Sequence, residues 1–205
     1  MIEFLIGTSL AASAGLNAWM PLFLLGLADR ILPAVELPAA WSWLSADLSL
    51  WIIGALLLLE IVADKIPALD SVNDVIQSIL RPAAGGIAFG AGAGSRTLAV
   101  DDPTSFFTDN GWVPVVAGIA IALVVHAVKA TTRLAANATT GGLAAPVLST
   151  AEDGASFALA AAALLVPVLA ALLLLLALIV GGIALLRRRT RRRERGDHPP
   201  AGVQT

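Results

Sequence analysis

One stretch of the chain constrains the fold more than any other, because it places charges where lipid is expected. Residues 60–82 read EIVADKIPALDSVNDVIQSILRP and follow an apolar run that begins at Leu48. Charged side chains inside a membrane persist where they face a bundle interior, a watery cavity or one another. The stretch therefore predicts a membrane protein with a polar interior.

Composition indicates that lipid is the solvent for much of the surface. The 205 residues are 58% hydrophobic and only 14% charged, whereas about 25% of the residues in soluble domains are charged. The length fits one membrane domain, predicted for residues 1–186. The absence of cysteine excludes disulfides, thiolate metal sites and cysteine nucleophiles. The sequence predicts neither a metal site nor a cofactor.

The distribution of charge predicts how the chain sits in the membrane. From Arg187 onward seven arginines accompany Glu194 and Asp197, whereas the first 186 residues carry a net charge of −7. A basic block directly after an apolar helix is the positive-inside signal. Residues 187–205 are therefore predicted to be a disordered cytoplasmic tail beside anionic lipid headgroups. This position disfavours a nucleic-acid patch, so no nucleic-acid partner is predicted.

The apolar runs predict an all-α polytopic transmembrane bundle with five to six membrane segments. The first helix spans residues 4–28, and Asn17 followed by Pro21 predicts a local break inside it. The second run, residues 48–63, is shorter than the roughly 20 residues that a spanning helix needs. Pro67 then interrupts the helix.

Two polar helix faces follow the apolar runs at residues 48–63 and 112–128. On the first face the polar residues lie at i, i+3, i+4, i+7 and i+11, and Pro82 is predicted to stop that helix. On the second face they lie at i, i+3, i+7 and i+11. The two faces consist of Asp70, Asn73, Asp74, Gln77 and Arg81, and of His126, Lys129, Arg133 and Asn137.

An internal echo links the two polar segments. An offset of 64 residues aligns Lys65 with Lys129, Asn73 with Asn137 and Pro82 with Pro146 without a gap. The echo predicts an inverted repeat with halves at about 48–86 and 112–150, and two broken or re-entrant segments at about 65–84 and 129–150. Paired broken segments are a sequence signal of transporter-type sites. The first copy is mainly acidic and the second basic, so the two faces would pair.

The predicted polar site takes its residues from both copies. In one interpretation the acids handle a cation or a proton and the bases meet an anionic substrate. In the other, the helices lie at the headgroup level with their polar faces in water. The candidate site residues are Glu60, Asp64, Lys65, Asp70, Asn73, Asp74, Arg81, His126, Lys129, Arg133 and Asn137.

A second set of residues is predicted to break or pack helices. Small residues spaced by four let helix backbones approach closely, and the small-residue faces also favour a homo-oligomer. Prolines and one buried amide mark the breaks. The set consists of Asn17, Pro21, Pro67, Pro82, Gly86, Gly90, Gly94 and Pro146.

Three blocks of the sequence resemble a known family. They read GLNAWMPLFLLGLADR, DKIPALDSVNDVIQSILRPAAG and TTGGLAAPVLSTAED, and they resemble the bacterial integral membrane family called domain of unknown function 4126. The resemblance covers roughly residues 10–153 and implies a small multi-pass protein of the bacterial inner membrane. It implies no activity. The motif positions are Asn17, Pro21, Asp64, Lys65, Pro67, Asp70, Asn73, Asp74, Arg81, Pro82, Gly141, Gly142, Pro146, Glu152 and Asp153.

Function is left open between two classes at this point. The first is a small transporter, channel-like protein or lipid translocase with a charged site inside the membrane, which would take a small ion or an anionic substrate. The alternative is a non-transporting scaffold whose partners are the bilayer and other proteins. An intramembrane enzyme ranks third, because no serine has a GxSxG context and no histidine has a serine partner by spacing.

Overall fold

A computed structural model of the chain describes residues 1–103, 111–176 and 179, with the backbone alone at 67–72 and 74. The described residues form helices and no strand beyond two isolated antiparallel bridges, one joining Glu36 to Arg96 and one joining Thr97 to Val100. The all-α class is therefore confirmed. The predicted tail at residues 187–205 and the predicted side-chain roles of Asp70 and Asp74 lie outside the described residues.

The first apolar run is broken where Asn17 and Pro21 predict. Helix α1 spans Ile2–Leu16 and helix α2 spans Trp19–Ile31. Between them Asn17 adopts an extended conformation, with φ −143° and ψ 120°. Its side-chain oxygen accepts hydrogen bonds from the backbone N–H groups of Trp19 at 3.2 Å and Met20 at 3.0 Å. The amide thus caps the second half-helix, as polar side chains commonly do at helix starts.

The second run forms a bent pair and then stops before Pro67. A 3₁₀ helix at Ala39–Ser45 leads into α3, Asp47–Ala63, with a bend of 65°. Helix α4 then begins at Pro67 and continues to Ala93. Ile66 is extended because the residue before a proline disfavours the helical region. The predicted interruption at Pro67 is confirmed.

The prediction that Pro82 ends a helix is wrong. Helix α4 continues through Pro82, so the polar segment belongs to the same helix of 27 residues as Gly86 and Gly90. Gly94, the third glycine at this spacing, is the C-cap of that helix. Proline removes one helical hydrogen bond, but neighbouring helices allow membrane-type helices to tolerate it. Here α4 packs against both α1 and α5. That packing holds the helix together across the defect.

The segment predicted as broken or re-entrant at 129–150 contains a helix break. Helix α5, Trp112–Thr140, continues past Lys129 and is capped by Gly141, whose φ of 62° is left-handed. Helix α6, Ala145–Leu165, begins after the turn with Pro146 in its first turn, where proline is tolerated. A shorter apolar helix α7, Pro167–Leu176, follows a break at Val166. The break lies at the residue before a proline, which disfavours the helical region.

Glycines bring α4 and α5 into backbone contact. A Cβ atom added at Gly118 would lie 2.2 Å from the carbonyl oxygen of Gly85, so only glycine fits there. On the predicted ridge, a Cβ would lie 3.0 Å from Ile119 at Gly86, 3.1 Å from Trp41 at Gly90 and 2.9 Å from Pro38 at Gly94. The ridge is therefore a packing surface, as the spacing indicates.

The apolar helices support membrane association, but they do not show the predicted number of spans. Among the described residues, α5 is long and apolar enough to cross a membrane, and the bent pair Ala39–Ser45 with Asp47–Ala63 would add a second span. Large apolar side chains point outward, such as Leu58, Val75 and Ile79, which are 66%, 70% and 74% exposed. The five to six segments stay a prediction.

The internal repeat has no counterpart in the helix boundaries. Lys65 lies in the turn between α3 and α4, whereas Lys129 lies inside α5. Pro82 lies inside α4, whereas Pro146 lies in the first turn of α6. The duplication and its two halves stay a hypothesis drawn from the sequence.

Candidate functional site

Charged side chains from four helices and one interhelical turn meet inside the bundle. The cluster contains carboxylates from α3 and α6, cations from α4 and α5, and Asp64 at the end of α3. Its innermost members are nearly shielded from solvent, with relative exposures between 0% and 6%. We call this cluster the charged core, and its innermost members are Glu60, Asp64, Arg81, His126, Lys129 and Arg133.

Asp64 is the centre of the charged core. Its Oδ2 atom lies 3.0 Å from Nη2 of Arg133 and 3.3 Å from Nζ of Lys129. Nη2 of Arg81 lies 3.6 Å from the same oxygen. The amide of Asn73 donates to Oδ1 at 2.6 Å. One carboxylate thus contacts three cations and links α3 to α4 and α5.

Glu60 and His126 hold Arg81 from two sides. Nη2 of Arg81 donates to Oε1 of Glu60 at 3.0 Å. Nη1 lies 2.9 Å from Nδ1 of His126. A guanidinium group has no acceptor, so Arg81 donates and Nδ1 of His126 accepts.

Glu152 on α6 completes the charged core. Its Oε2 atom accepts a hydrogen bond from Nε of Arg133 at 2.9 Å and also contacts Nη2 of that residue. Nζ of Lys129 lies 3.2 Å from the same oxygen. The side chain of Glu152 is 13% exposed, against 1% for Asp64 and Glu60. Among the described side chains, the core therefore contains three carboxylates and three basic groups.

Asp153 joins the charged core to its rim. Its Oδ1 atom accepts from the amide of Asn17 at 3.0 Å, and its Oδ2 atom lies 3.3 Å from Nζ of Lys65. Lys65 is more exposed than the inner cations, at 37% of its side chain. Asn17 therefore makes an interhelical hydrogen bond in addition to capping α2.

The broken first helix points both of its free ends at the charged core. Nζ of Lys129 donates to the backbone carbonyl of Leu16 at 2.6 Å, at the C-terminus of α1. The carboxylate of Glu60 accepts from the backbone N–H of Ala18 at 3.2 Å, at the start of α2. Helix N-termini carry partial positive charge and C-termini partial negative charge. Each half-helix end therefore meets a side chain of the opposite sign.

The charged core lies in the middle of the longest apolar helix. His126 is 14 residues from both Trp112 and Thr140, which corresponds to about 21 Å on either side. Lys129 and Arg133 follow on the same face within two turns. The apolar stretch of α5 ends at Val128, so Lys129 and Arg133 lie at the polar end of that stretch. Charged side chains buried beside an apolar span are rare and usually functional.

The structure brings most of the predicted site residues together but not all of them. Asn137 lies one turn beyond Arg133, and its side-chain oxygen is buried without a hydrogen-bond partner among the described residues. Gln77 is also buried, and its side-chain oxygen likewise has no hydrogen-bond partner among the described residues. Sequence reasoning left Glu152 and Asp153 out of the site. The sequence did offer a signal for them, because both acids end the motif block TTGGLAAPVLSTAED. Glu152 also lies one turn after Ser149, and Asp153 one turn before Ser156.

The arrangement favours charge recognition over metal binding. Within the described part of the chain, no three His, Asp or Glu side chains come together as ligands of a metal ion. The acids contact cations of the protein instead, as with Asp64 between Lys129 and Arg133. Removing one member of such a buried pair leaves a charge that is unfavourable in the interior.

The family described as Domain of unknown function (DUF4126) matches residues 4–188, which includes all the helices named above except the first two residues of α1. No curated protein and no solved structure matches the chain.

Proposed function

The chain belongs to the DUF4126 family, and we propose that it is a small multi-pass membrane transporter whose charged core is the substrate site. One observation carries the proposal. The first helix is broken at Asn17, and both of its free ends meet buried charges at the middle of the longest apolar helix. Discontinuous helices with their ends directed at a midplane site are the common building plan of secondary transporters.

The cost of the charged core is a second argument for function. Moving an ion pair from water into a low-dielectric interior is often less favourable than packing apolar residues of the same size. A bundle that needed only cohesion would be served by apolar side chains at Glu60, Asp64 and Arg81. Charged side chains that contact one another in such an interior are expected where ions or protons must be exchanged. The charged core has six of them among the described residues: Glu60, Asp64, Arg81, Lys129, Arg133 and Glu152.

The scaffold alternative explains the same residues less well. It requires the polar face of α4 to lie in the headgroup region, in contact with water. Gln77 and Arg81 on that face are 2% and 0% exposed, and they point into the bundle. The outward face carries Val75, Ile76 and Ile79 instead. This orientation suits a helix with lipid on its outside and polar groups on its inside.

The proposed membrane is the bacterial inner membrane, with the C-terminus in the cytoplasm. Support comes from the apolar character of α5 and from the arginine-rich block after Leu186. In this arrangement the first 186 residues form the membrane domain. The arginines would contact anionic lipid on the cytoplasmic side.

A labelling experiment tests the proposal without knowledge of the substrate. The chain has no cysteine, so Gln77→Cys would carry the only thiol. Gln77 lies one turn from Arg81 on the interior face, and its side-chain oxygen has no described partner to lose. A membrane-impermeant maleimide is applied to intact cells and, separately, to inside-out vesicles. A transporter is expected to label at this position from both faces.

Thr140→Cys is the matched control for this experiment. Thr140 lies at the exposed end of α5, so its label should appear from one face only. If Gln77→Cys reacts from neither face, or only from the face that labels Thr140→Cys, the interior does not open to both sides and the transporter proposal is wrong. A cell-free vesicle preparation with verified orientation is required for both variants.

A further inference from the structure

We infer that Lys129 and Arg133 form a subsite for a small carboxylate, and that the side chain of Glu152 occupies this subsite until the substrate displaces it. The inference rests on the proposed function and names the substrate class of the same site. It begins from a geometric fact. Nitrogens of both cations converge on a single oxygen, Oε2 of Glu152.

The donor set matches a carboxylate. Arg133 offers Nε and Nη2 on one edge of its guanidinium group, which is the fork that recognises carboxylate and phosphate groups. Lys129 adds an ammonium group 3.2 Å from the same oxygen. Both cations have side-chain exposures of 1% to 2%. Because a carboxylate already fills this position, a free carboxylate of small size meets the same donors.

Glu152 is the carboxylate of the charged core that is easiest to displace. Asp64 accepts from Asn73 in addition to its cations, and Glu60 accepts from the backbone of Ala18 in addition to Arg81. The described contacts of Glu152 are those with Arg133 and Lys129. Its side chain is also the most exposed of the three. Rotation about its own side-chain bonds is enough to withdraw it.

Withdrawal of Glu152 favours an anion in its place. Among the described residues, Glu152 is the carboxylate that Lys129 and Arg133 share besides Asp64. Removing one partner of a buried ion pair is strongly unfavourable unless another charge replaces it. The vacated subsite therefore binds a replacement anion, and an empty open state is disfavoured. Such coupling prevents the transporter from cycling without substrate.

The test measures acetate binding to the purified full chain in detergent by isothermal titration calorimetry, with ionic strength held constant by sodium chloride. The variant Glu152→Gln removes the internal competitor and keeps the side-chain length. We expect it to bind acetate at least ten-fold more tightly than the wild type. Adding Arg133→Gln to this variant should abolish the binding.

Two further variants keep the test decisive. Glu36→Gln makes the same chemical change in an exposed ion pair with Arg96, 3.0 Å apart, and should leave acetate affinity unchanged. Glu152→Asp keeps the charge but shortens the side chain by one methylene. It should give an intermediate affinity even if Glu152→Gln fails to fold. Equal acetate affinity in Glu152→Asp and the wild type would overturn the inference, as would tighter binding of inorganic phosphate than of acetate.

The outcome separates this inference from the proposed function. If Gln77→Cys labels from both faces but no Glu152 variant binds acetate more tightly, the transporter stands and the carboxylate subsite is wrong. If acetate binding strengthens as expected but Gln77→Cys never labels from both faces, the subsite stands and the protein binds carboxylates without transporting them.

Discussion

Removal of the charge at Asp64 should be among the most destabilising single substitutions in the protein. Asp64→Asn leaves the side-chain shape almost unchanged, and the wild-type side chain is 1% exposed. Its Oδ2 atom lies within 3.0–3.6 Å of cationic nitrogens from three residues. The variant removes the one carboxylate charge that these three cations share. Breaking a buried ion pair in this way costs about 3–5 kcal/mol of unfolding free energy.

Asp47→Asn is the matched control for this substitution. Asp47 also pairs with an arginine, Arg30, but its side chain is 76% exposed. Exposed ion pairs contribute about 0–1 kcal/mol, so the control should change stability little. The same chemical change at the two positions isolates the effect of burial. The assay is reversible unfolding of the purified protein in mixed micelles, followed by circular dichroism as the denaturing detergent fraction rises.

A compensating substitution sharpens the test. If the loss arises from the missing negative charge at Asp64, Asp64→Asn combined with Lys129→Gln should recover at least about 1 kcal/mol relative to Asp64→Asn alone, because contacting residues couple by about 0.5–3 kcal/mol. If Asp64→Asn costs no more than Asp47→Asn, or if the second substitution only adds to the loss, the charged core is not what holds these helices together.

The remaining predictions concern the helix break and the packing surfaces, and all are measured by the same unfolding assay. Asn17→Ala removes the cap of α2 and a buried interhelical hydrogen bond, and should cost about 1–3 kcal/mol. Gly118→Ala inserts a methyl group against backbone and should cost at least about 1–3 kcal/mol. By contrast Gly154→Ala, with nothing within 4 Å, should stabilise α6 by up to about 1 kcal/mol. Ser13→Ala and Ser156→Ala remove reciprocal hydrogen bonds between α1 and α6. Their double-mutant cycle should show a coupling of about 0.6 kcal/mol.

Local chemistry made several features predictable. The extended backbone at Asn17 and the start of α4 at Pro67 follow from one or two neighbouring residues. An amide can cap a helix on its own chain, and a proline restricts the residue before it. The glycine spacing likewise predicts close helix packing, because it concerns one face of one helix. None of these inferences requires knowledge of a distant partner.

Features that depend on distant partners were harder to predict from the sequence. Pro82 was predicted to end a helix because proline removes a hydrogen bond, yet α4 continues because α1 and α5 pack along its length. The segment at 129–150 was predicted to be broken or re-entrant, and the break lies at residues 141–144, beyond Lys129, which is inside α5. At Pro82 packing between helices compensates a local preference whose strength the residue alone does not reveal.

The sequence by itself determined that charges lie in an apolar context, and therefore that they must be paired or hydrated inside a bundle. It did not determine the pairs. Asp64 and Arg133 are separated by 69 residues and Asn17 and Asp153 by 136, so only the folded arrangement of helices brings them together. Glu152 entered the site in the same way. Its carboxylate is ordinary in sequence, and the convergence of Lys129 and Arg133 on one of its oxygens exists only in three dimensions.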